Sequence, residues 1–171
     1  LDYFDNHCKV VEFSDLIATE LKVDFETAIT QPDDLIANII FTSGTTNEPK
    51  GVIISHRAVA LLVKAKGFLK IESEDVIVNC SSISFDASTY DVWGTLLNGA
   101  SLYLCDRYEV IDLTAFQLIC EVYKPTLGFL STGLFDKLVS LDVDLFRHFS
   151  RLLVGGEVMS PTSIKQFYSH F

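Results

Sequence analysis

The sequence holds no apolar run of the roughly 20 residues that a membrane-spanning helix needs. Its first residues, Leu1-Asp2-Tyr3-Phe4-Asp5, show neither the basic start nor the apolar stretch of a secretory signal. No initiator Met stands at the head, so the chain reads as an excised segment or a processed product. Positive charge is scarce: 13 Lys and Arg face 23 Asp and Glu, a formal net charge of −10. That balance argues against wrapping a nucleic acid backbone, which takes clustered Lys and Arg. It argues equally against docking on an anionic membrane. Cysteines number four, Cys8, Cys80, Cys105 and Cys120, at spacings that match no zinc or redox pair. Three lie in apolar stretches and read as ordinary buried thiols, which fits a reducing, cytoplasmic setting. His7, His148 and His170 show no partner spacing for a metal. There is no internal repeat and no low-complexity tract.

What is present is a globular composition, 49% apolar and 21% charged over 171 residues, enough for one domain with a sizeable core. From residue 36 onward, short apolar runs alternate with amphipathic stretches. Strands are expected at Ile36–Phe41, Gly51–Ser55, Asp75–Cys80, Ser101–Cys105, Thr126–Leu130 and Leu152–Val154. Ser55 is placed to cap a helix over His56–Lys66, and Asp112 one through Tyr123 that Pro125 stops. A helix over Phe85–Asn98 closes at Gly99, with Trp93 and Leu97 on its core side. Another runs near Gly133–Ser140, and Ser160-Pro161 starts a last one. Cys8–Val11 reads as an edge strand and Phe13–Leu21 as a helix. The alternation predicts an α/β fold with a largely parallel sheet and flanking helices.

The segment from Phe41 to Gly51 carries the chemistry. Polyphosphate binding needs inward-turned N–H groups, donating hydroxyls and a cation. Gly44 and Gly51 permit the turns; Thr42, Ser43, Thr45 and Thr46 supply hydroxyls; Lys50 supplies the charge. Concave runs of N–H groups of this kind hold phosphate. The spacing is not that of the common P-loop, and composition alone equally describes a polar surface loop.

The order of residues decides between these. Phe41-Thr42-Ser43-Gly44-Thr45-Thr46-Asn47-Glu48-Pro49-Lys50-Gly51 resembles the signature of the adenylate-forming (AMP-binding) superfamily. That superfamily includes adenylation domains of nonribosomal peptide synthetases, acyl-CoA synthetases and luciferases. The one departure is Asn47, where the family usually has glycine; Asn tolerates positive φ better than other residues with a side chain. The resemblance covers about residues 30–171, and residues 1–171 are read as a partial adenylation domain.

The resemblance implies further roles. Ser84-Phe85-Asp86-Ala87-Ser88 is similar to a motif of amino-acid-activating members, which gives Asp86 the substrate's α-ammonium group. By its residues alone Asp86 is equally a helix N-cap. The family's side-chain pocket falls on Ala87, Tyr90, Phe129, Leu153 and Gly155, all apolar or weakly polar, implying an aliphatic or aromatic amino acid. A Gly-Gly-Glu segment resembling the family's adenine-side turn places Gly156 and Glu157 there. The implied reaction joins an amino acid and ATP, with Mg²⁺, into aminoacyl-AMP and pyrophosphate. Thr42, Ser43, Gly44, Thr45, Thr46, Lys50 and Gly51 would hold the phosphates. The aminoacyl group would then pass to the phosphopantetheine thiol of a carrier domain. The family's magnesium-binding glutamate, ribose-binding aspartate and catalytic lysine have no counterpart in this sequence, so the segment alone is expected to be inactive. An acyl- or aryl-CoA ligase, a non-catalytic adenylation-like module and an unrelated nucleotide-binding α/β domain are the rival readings.

Overall fold

The computed structural model describes residues 35–42, 49–64 and 69–171; the strand expected at Cys8–Val11 and the helix at Phe13–Leu21 lie outside them. β1 (Ile36–Thr42) and β2 (Lys50–Ser55) pair antiparallel as a hairpin, in register from Ile39↔Ile53 to Thr42↔Lys50. They stand apart from the parallel sheet. Their pairing is antiparallel because the connection from Thr42 to Lys50 is shorter than the dozen or so residues a parallel crossover takes. Helix α1 (His56–Lys64) follows, started by the Ser55 hydroxyl, which accepts from the Ala58 amide at 3.2 Å.

The second sheet is wholly parallel, in the order β4-β3-β5-β6. Its strands are β3 (Val76–Asn79), β4 (Ser101–Leu104), β5 (Leu127–Ser131) and β6 (Arg151–Gly155). Helix α2 (Ala87–Asn98) joins β3 to β4. Helices α3 (Arg107–Ile111) and α4 (Leu113–Tyr123) join β4 to β5. Helix α5 (Thr132–Leu141) and a 3₁₀ turn (Val143–His148) join β5 to β6, and α6 (Pro161–His170) follows. The caps are those expected: Asp112 accepts from the Thr114 amide at 2.8 Å and Ser160 from Ser163 at 3.5 Å. Helix α3 was not expected. Its five residues are too few to show a period, but Asp106 and Glu109 form a reciprocal capping box, a signal legible in the sequence.

The period of two along each strand divides the core. On one face Val78 and Leu130 meet Phe116, Ile119 and Cys120 of α4, Phe135, Leu138 and Val139 of α5, and Phe146. On the other, Ile77 and Leu127 meet Val63 of α1 and Tyr90 of α2, with Leu153 and Trp93 packed alongside. Burying one such side chain contributes about 1.5–3 kcal/mol. Leu97 corrects the expectation made for it: it is 42% exposed, because α2 turns Ser88, Asp91, Gly94 and Thr95 inward instead. The thiols divide as well, Cys120 buried and Cys80 and Cys105 half-buried, all unbridged. Among the described residues no helix is long and apolar enough to cross a membrane.

The amino-terminal strand ends are locked by a polar cluster. Thr126 donates to Asp75 at 2.7 Å and accepts from the Val76 amide at 3.1 Å, while Arg151 pairs with Asp75 and bonds the Lys70 carbonyl. Burial alone would raise the Asp75 pKa. Hydrogen bonds from the Glu72 amide, Thr126 and Arg151 outweigh it and hold the carboxyl below its usual value.

Candidate functional site

The hairpin brings the two ends of the phosphate-loop segment together: Thr42 pairs with Lys50 and its hydroxyl bonds the Lys50 carbonyl at 3.4 Å. Thr42, Lys50 and Gly51 are exposed. Ser43, Gly44, Thr45, Thr46 and Asn47 lie outside the described residues.

The second group of candidates gathers beyond the carboxyl ends of β3, β5 and β6, where ligands sit in open α/β sheets. A cavity of about 380 Å³ is lined there by Phe85, Asp86, Ala87, Phe129, Ser131, Gly155 and Gly156, together with Cys80, Ser81 and Ser82. That volume is within the ~300–1,000 Å³ range of small-molecule pockets. Small side chains leave the room. Register sets Phe129 beside Leu153 and Ser131 beside Gly155, and the pleat turns Phe129, Leu153 and Gly155 to the α2 side.

Asp86 is exposed and caps α2 one residue later than the expected helix start. Its Oδ1 accepts from the Ala87 amide at 2.8 Å, and its carbonyl accepts from Thr89 at 2.9 Å. The turn before it is held by Ser88, whose buried hydroxyl bonds the carbonyls of Phe85 at 2.6 Å and Ile83 at 3.1 Å. Asp86 is thus an acceptor at the cavity edge, fixed by its own helix.

Tyr90 and Leu153 do not line this cavity. Tyr90 is 5% exposed, packs with Val63, Ile71, Ile77 and Leu127, and donates its hydroxyl to the Leu69 carbonyl at 2.8 Å. Burial pushes its phenol up to about 12. Leu153 leans on the same cluster, so both lie in the core on the α2 side of the sheet.

Gly156 has φ +104°, a conformation that a residue with a Cβ rarely adopts. The turn it makes is pinned by Thr132, 3% exposed. The Thr132 hydroxyl sits 3.2 Å from the Gly155 carbonyl and 3.0 Å from that of Glu157, and accepts from the Glu157 amide at 3.3 Å. Glu157 itself is exposed and does not line the cavity. Thr132 escapes sequence reasoning because its partners lie more than twenty residues away on the next strand.

Asp91 escapes it too. It is fully buried, and its Oδ2 accepts from the Asn79 side-chain amide at 2.8 Å, tying α2 to the end of β3. Its Oδ1 has no partner, and burial raises the carboxyl to about 6. A polar residue inside an apolar stripe, four before Thr95, was the only sequence signal. Among the described residues no group of three or more His, Cys, Asp or Glu is placed to hold a metal ion.

Comparison with known proteins bears on the family and the fold. The family of AMP-binding enzymes matches residues 6–171. Surfactin synthase subunit 2 of Bacillus subtilis (strain 168) is 37% identical over 130 residues, 76% of this chain and 4% of that protein. Gramicidin S synthase 2 of Brevibacillus brevis is 35% identical over 136 residues, 80% of this chain and 3% of that protein. Among solved structures, the Klebsiella oxytoca NpsA N-terminal subdomain in complex with 3-hydroxyanthranilyl-AMSN is similar at TM-score 0.71 and 31% identity, over 81% of this chain and 36% of that one. PA1221, a nonribosomal peptide synthetase protein containing adenylation and PCP domains, is similar at TM-score 0.73 and 30% identity, over 84% and 29%. The chain therefore spans a few per cent of these curated relatives and about a third of these structures.

Proposed function

This chain belongs to the AMP-binding enzyme family, and from that premise we propose that the protein it forms activates an amino acid with ATP as an aminoacyl adenylate. A substrate carboxylate oxygen bonds to the α-phosphorus of ATP, and pyrophosphate leaves. The observation that carries the reading is Asp86 at the edge of a small-residue cavity, facing the Gly155-Gly156 turn across the strand ends. Asp86 binds the α-ammonium group. A desolvated ion pair of this kind separates amino acids from acids that lack the amine. The apolar and weakly polar lining of Phe85, Ala87, Phe129 and Gly155 takes an aliphatic or aromatic side chain, since an unpaired charge there would be costly. The Gly156–Glu157 turn, held by Thr132, receives the adenine.

The hydroxyls from Thr42 to Thr46 and the Lys50 ammonium hold the phosphate tail. Mg²⁺ would accompany the nucleotide's phosphates, as oxygen-ligated Mg²⁺ does in phosphate sites. The aminoacyl group then passes to the phosphopantetheine thiol of a carrier domain; the presence of a PCP domain beside the adenylation domain in PA1221 supports that partner.

Amino-acid-dependent pyrophosphate exchange in the intact protein tests the reading. Asp86→Ala should cut exchange by at least roughly 30-fold, the effect of removing one partner of an ion pair that the bound substrate desolvates, about 2–5 kcal/mol. Exchange that is supported by an aryl acid and indifferent to Asp86→Ala would instead assign an aryl-acid substrate, a reading that the 3-hydroxyanthranilyl-AMSN in the NpsA complex favours.

A further inference from the structure

Cys80 and Cys105 stand one residue beyond the paired ends of β3 and β4. Asn79 is in register with Leu104, and the Cys105 amide donates to the Asn79 carbonyl at 3.1 Å, so the ladder runs on and sets the two cysteines side by side. Neighbouring strands lie about 4.8 Å apart. A disulfide spans Cα separations of roughly 4.4–6.8 Å. Both side chains pack against the same cluster, around Phe116 and Cys120, so they point to one face of the sheet. Both also line one cavity of about 510 Å³, together with Ser81, Ser82, Asp106 and Val110. The pair is therefore half-buried but reachable by a small reagent.

We propose that Cys80 and Cys105 form a paired modification site for small disulfides, closing to an intramolecular Cys80–Cys105 bridge beside the candidate substrate cavity. Cys105 gives up its proton and attacks one sulfur of the small disulfide. A mixed disulfide forms, and the first small thiol leaves with that proton. Cys80 then gives up its own proton and attacks the Cys105 sulfur, and the second small thiol leaves. The protein dithiol is oxidised by two electrons, and the small disulfide is reduced to two thiols. The order of attack follows the Cys80 thiol, which is the more reluctant of the two to ionise. A hydrogen bond to the Cys105 sulfur, together with burial, holds the Cys80 thiol well above its ordinary pKa, so Cys80 is the one that keeps its proton. Once Cys105 is in the mixed disulfide, the Cys105 thiol that raised Cys80 is gone, and the second nucleophile is held beside the bond it breaks.

The bridge would act on the neighbouring site through the chain. Cys80, Ser81 and Ser82 line both cavities, and they lead directly to Asp86. Only that consequence rests on the functional reading above; the thiol chemistry stands apart from it.

The test treats the intact protein with oxidised glutathione under native conditions, caps the remaining thiols with N-ethylmaleimide, and maps peptides by mass spectrometry without reductant. The expected product is a Cys80–Cys105 linked peptide pair, lighter by two hydrogens and released by dithiothreitol. It should exceed either peptide carrying one glutathione by at least about tenfold, because ring closure by a held neighbour outruns a second bimolecular event. Cys80→Ser should trap glutathione on Cys105, and Cys105→Ser should leave Cys80 capped by maleimide. Three results on the wild-type protein would overturn the proposal: both cysteines capped by maleimide, a lasting glutathione adduct on either, or Cys105 linked to Cys120. None depends on whether the serine variants fold or whether the protein activates an amino acid.

Discussion

Replacing Asp91 with asparagine should flatten the dependence of stability on pH between about pH 5 and 7. Asp91 is fully buried, and burial raises its carboxyl to about 6, with the hydrogen bond from Asn79 acting in the opposite sense. An unfolded aspartate titrates near 3.9. A raised carboxyl holds its proton more tightly folded than unfolded. Its contribution to stability is complete below the unfolded value and is lost as the pH climbs through about 6. At about 1.4 kcal/mol per pH unit of difference, the ionised form costs roughly 3 kcal/mol at neutral pH relative to the protonated one. Just over 1 kcal/mol of that falls between about pH 5 and 7. Asparagine cannot ionise and keeps an oxygen for the Asn79 amide. It also places an amide nitrogen where Oδ1 now lacks a partner, a cost of about 1–3 kcal/mol that does not vary with pH. The absolute stabilities of the two proteins can therefore fall close together, while their pH slopes cannot. Urea denaturation of both proteins at several pH values measures the slope directly. Equal slopes in wild type and Asp91→Asn would refute the buried-carboxylate account.

Asp75 gives the opposite sign. Its pKa lies below the ordinary value, so its contribution is present above the unfolded value and is lost as pH falls through the folded one. Arg151→Met should lower stability at neutral pH by about 1.5–3 kcal/mol, the range for a hydrogen bond to a charged group, and should weaken the acid dependence in the same denaturation series. Gly94→Ala should move the melting temperature little: a Cβ there would come within 2.4 Å of the Ile71 Cδ1, the free end of a side chain that can turn aside, while alanine gains about 1 kcal/mol of helix propensity; a loss of more than about 3 kcal/mol would contradict it. Thr132→Val should strip the Glu157 amide of its side-chain acceptor, lowering stability by about 1–3 kcal/mol. It should also raise the KM for ATP more than it lowers kcat, as steady-state exchange kinetics would show.

Most strands and helices are legible in the residues because each carries a local signal. Ser55, Asp112 and Ser160 cap the helices they precede, and Val76, Ile77 and Val78 supply the branched run of β3. Helix α3 lacks a period and hides behind its capping box. Leu97 misleads because an apolar stripe was assumed to face inward, whereas Asp91, Gly94 and Thr95 pack closely there and push it out. The cavity residues Asp86, Ala87, Phe129, Gly155 and Gly156 are reached one by one only through the family resemblance, not through any local pattern. Their common location needs the strand order, which puts β5 between β3 and β6 and which no local pattern states. Thr132 and the Asn79–Asp91 pair are invisible for the same reason: their bonds join separate elements.

The two ends of the parallel sheet do opposite work with the same strands. At the amino-terminal ends, Asp75, Thr126 and Arg151 satisfy one another and fix the register of β3, β5 and β6. At the carboxyl ends, Ser81, Ala87, Ser131 and Gly155 are too small to fill the space between strand tips and helix α2, so a cavity remains. An open space forfeits packing contacts on every side that lines it. It persists only where the surrounding backbone cannot collapse into it. Here the backbone is held by bonds set back from the opening: Ser88 to Ile83 and Phe85, Asp91 to Asn79, and Thr132 to the Gly155–Glu157 turn. Except for Asp86 on its own helix, the side chains that shape the cavity make few polar bonds, and the side chains that make those bonds do not line it. A cavity built this way can change its lining while its frame stays put, because the lining and the frame are different residues.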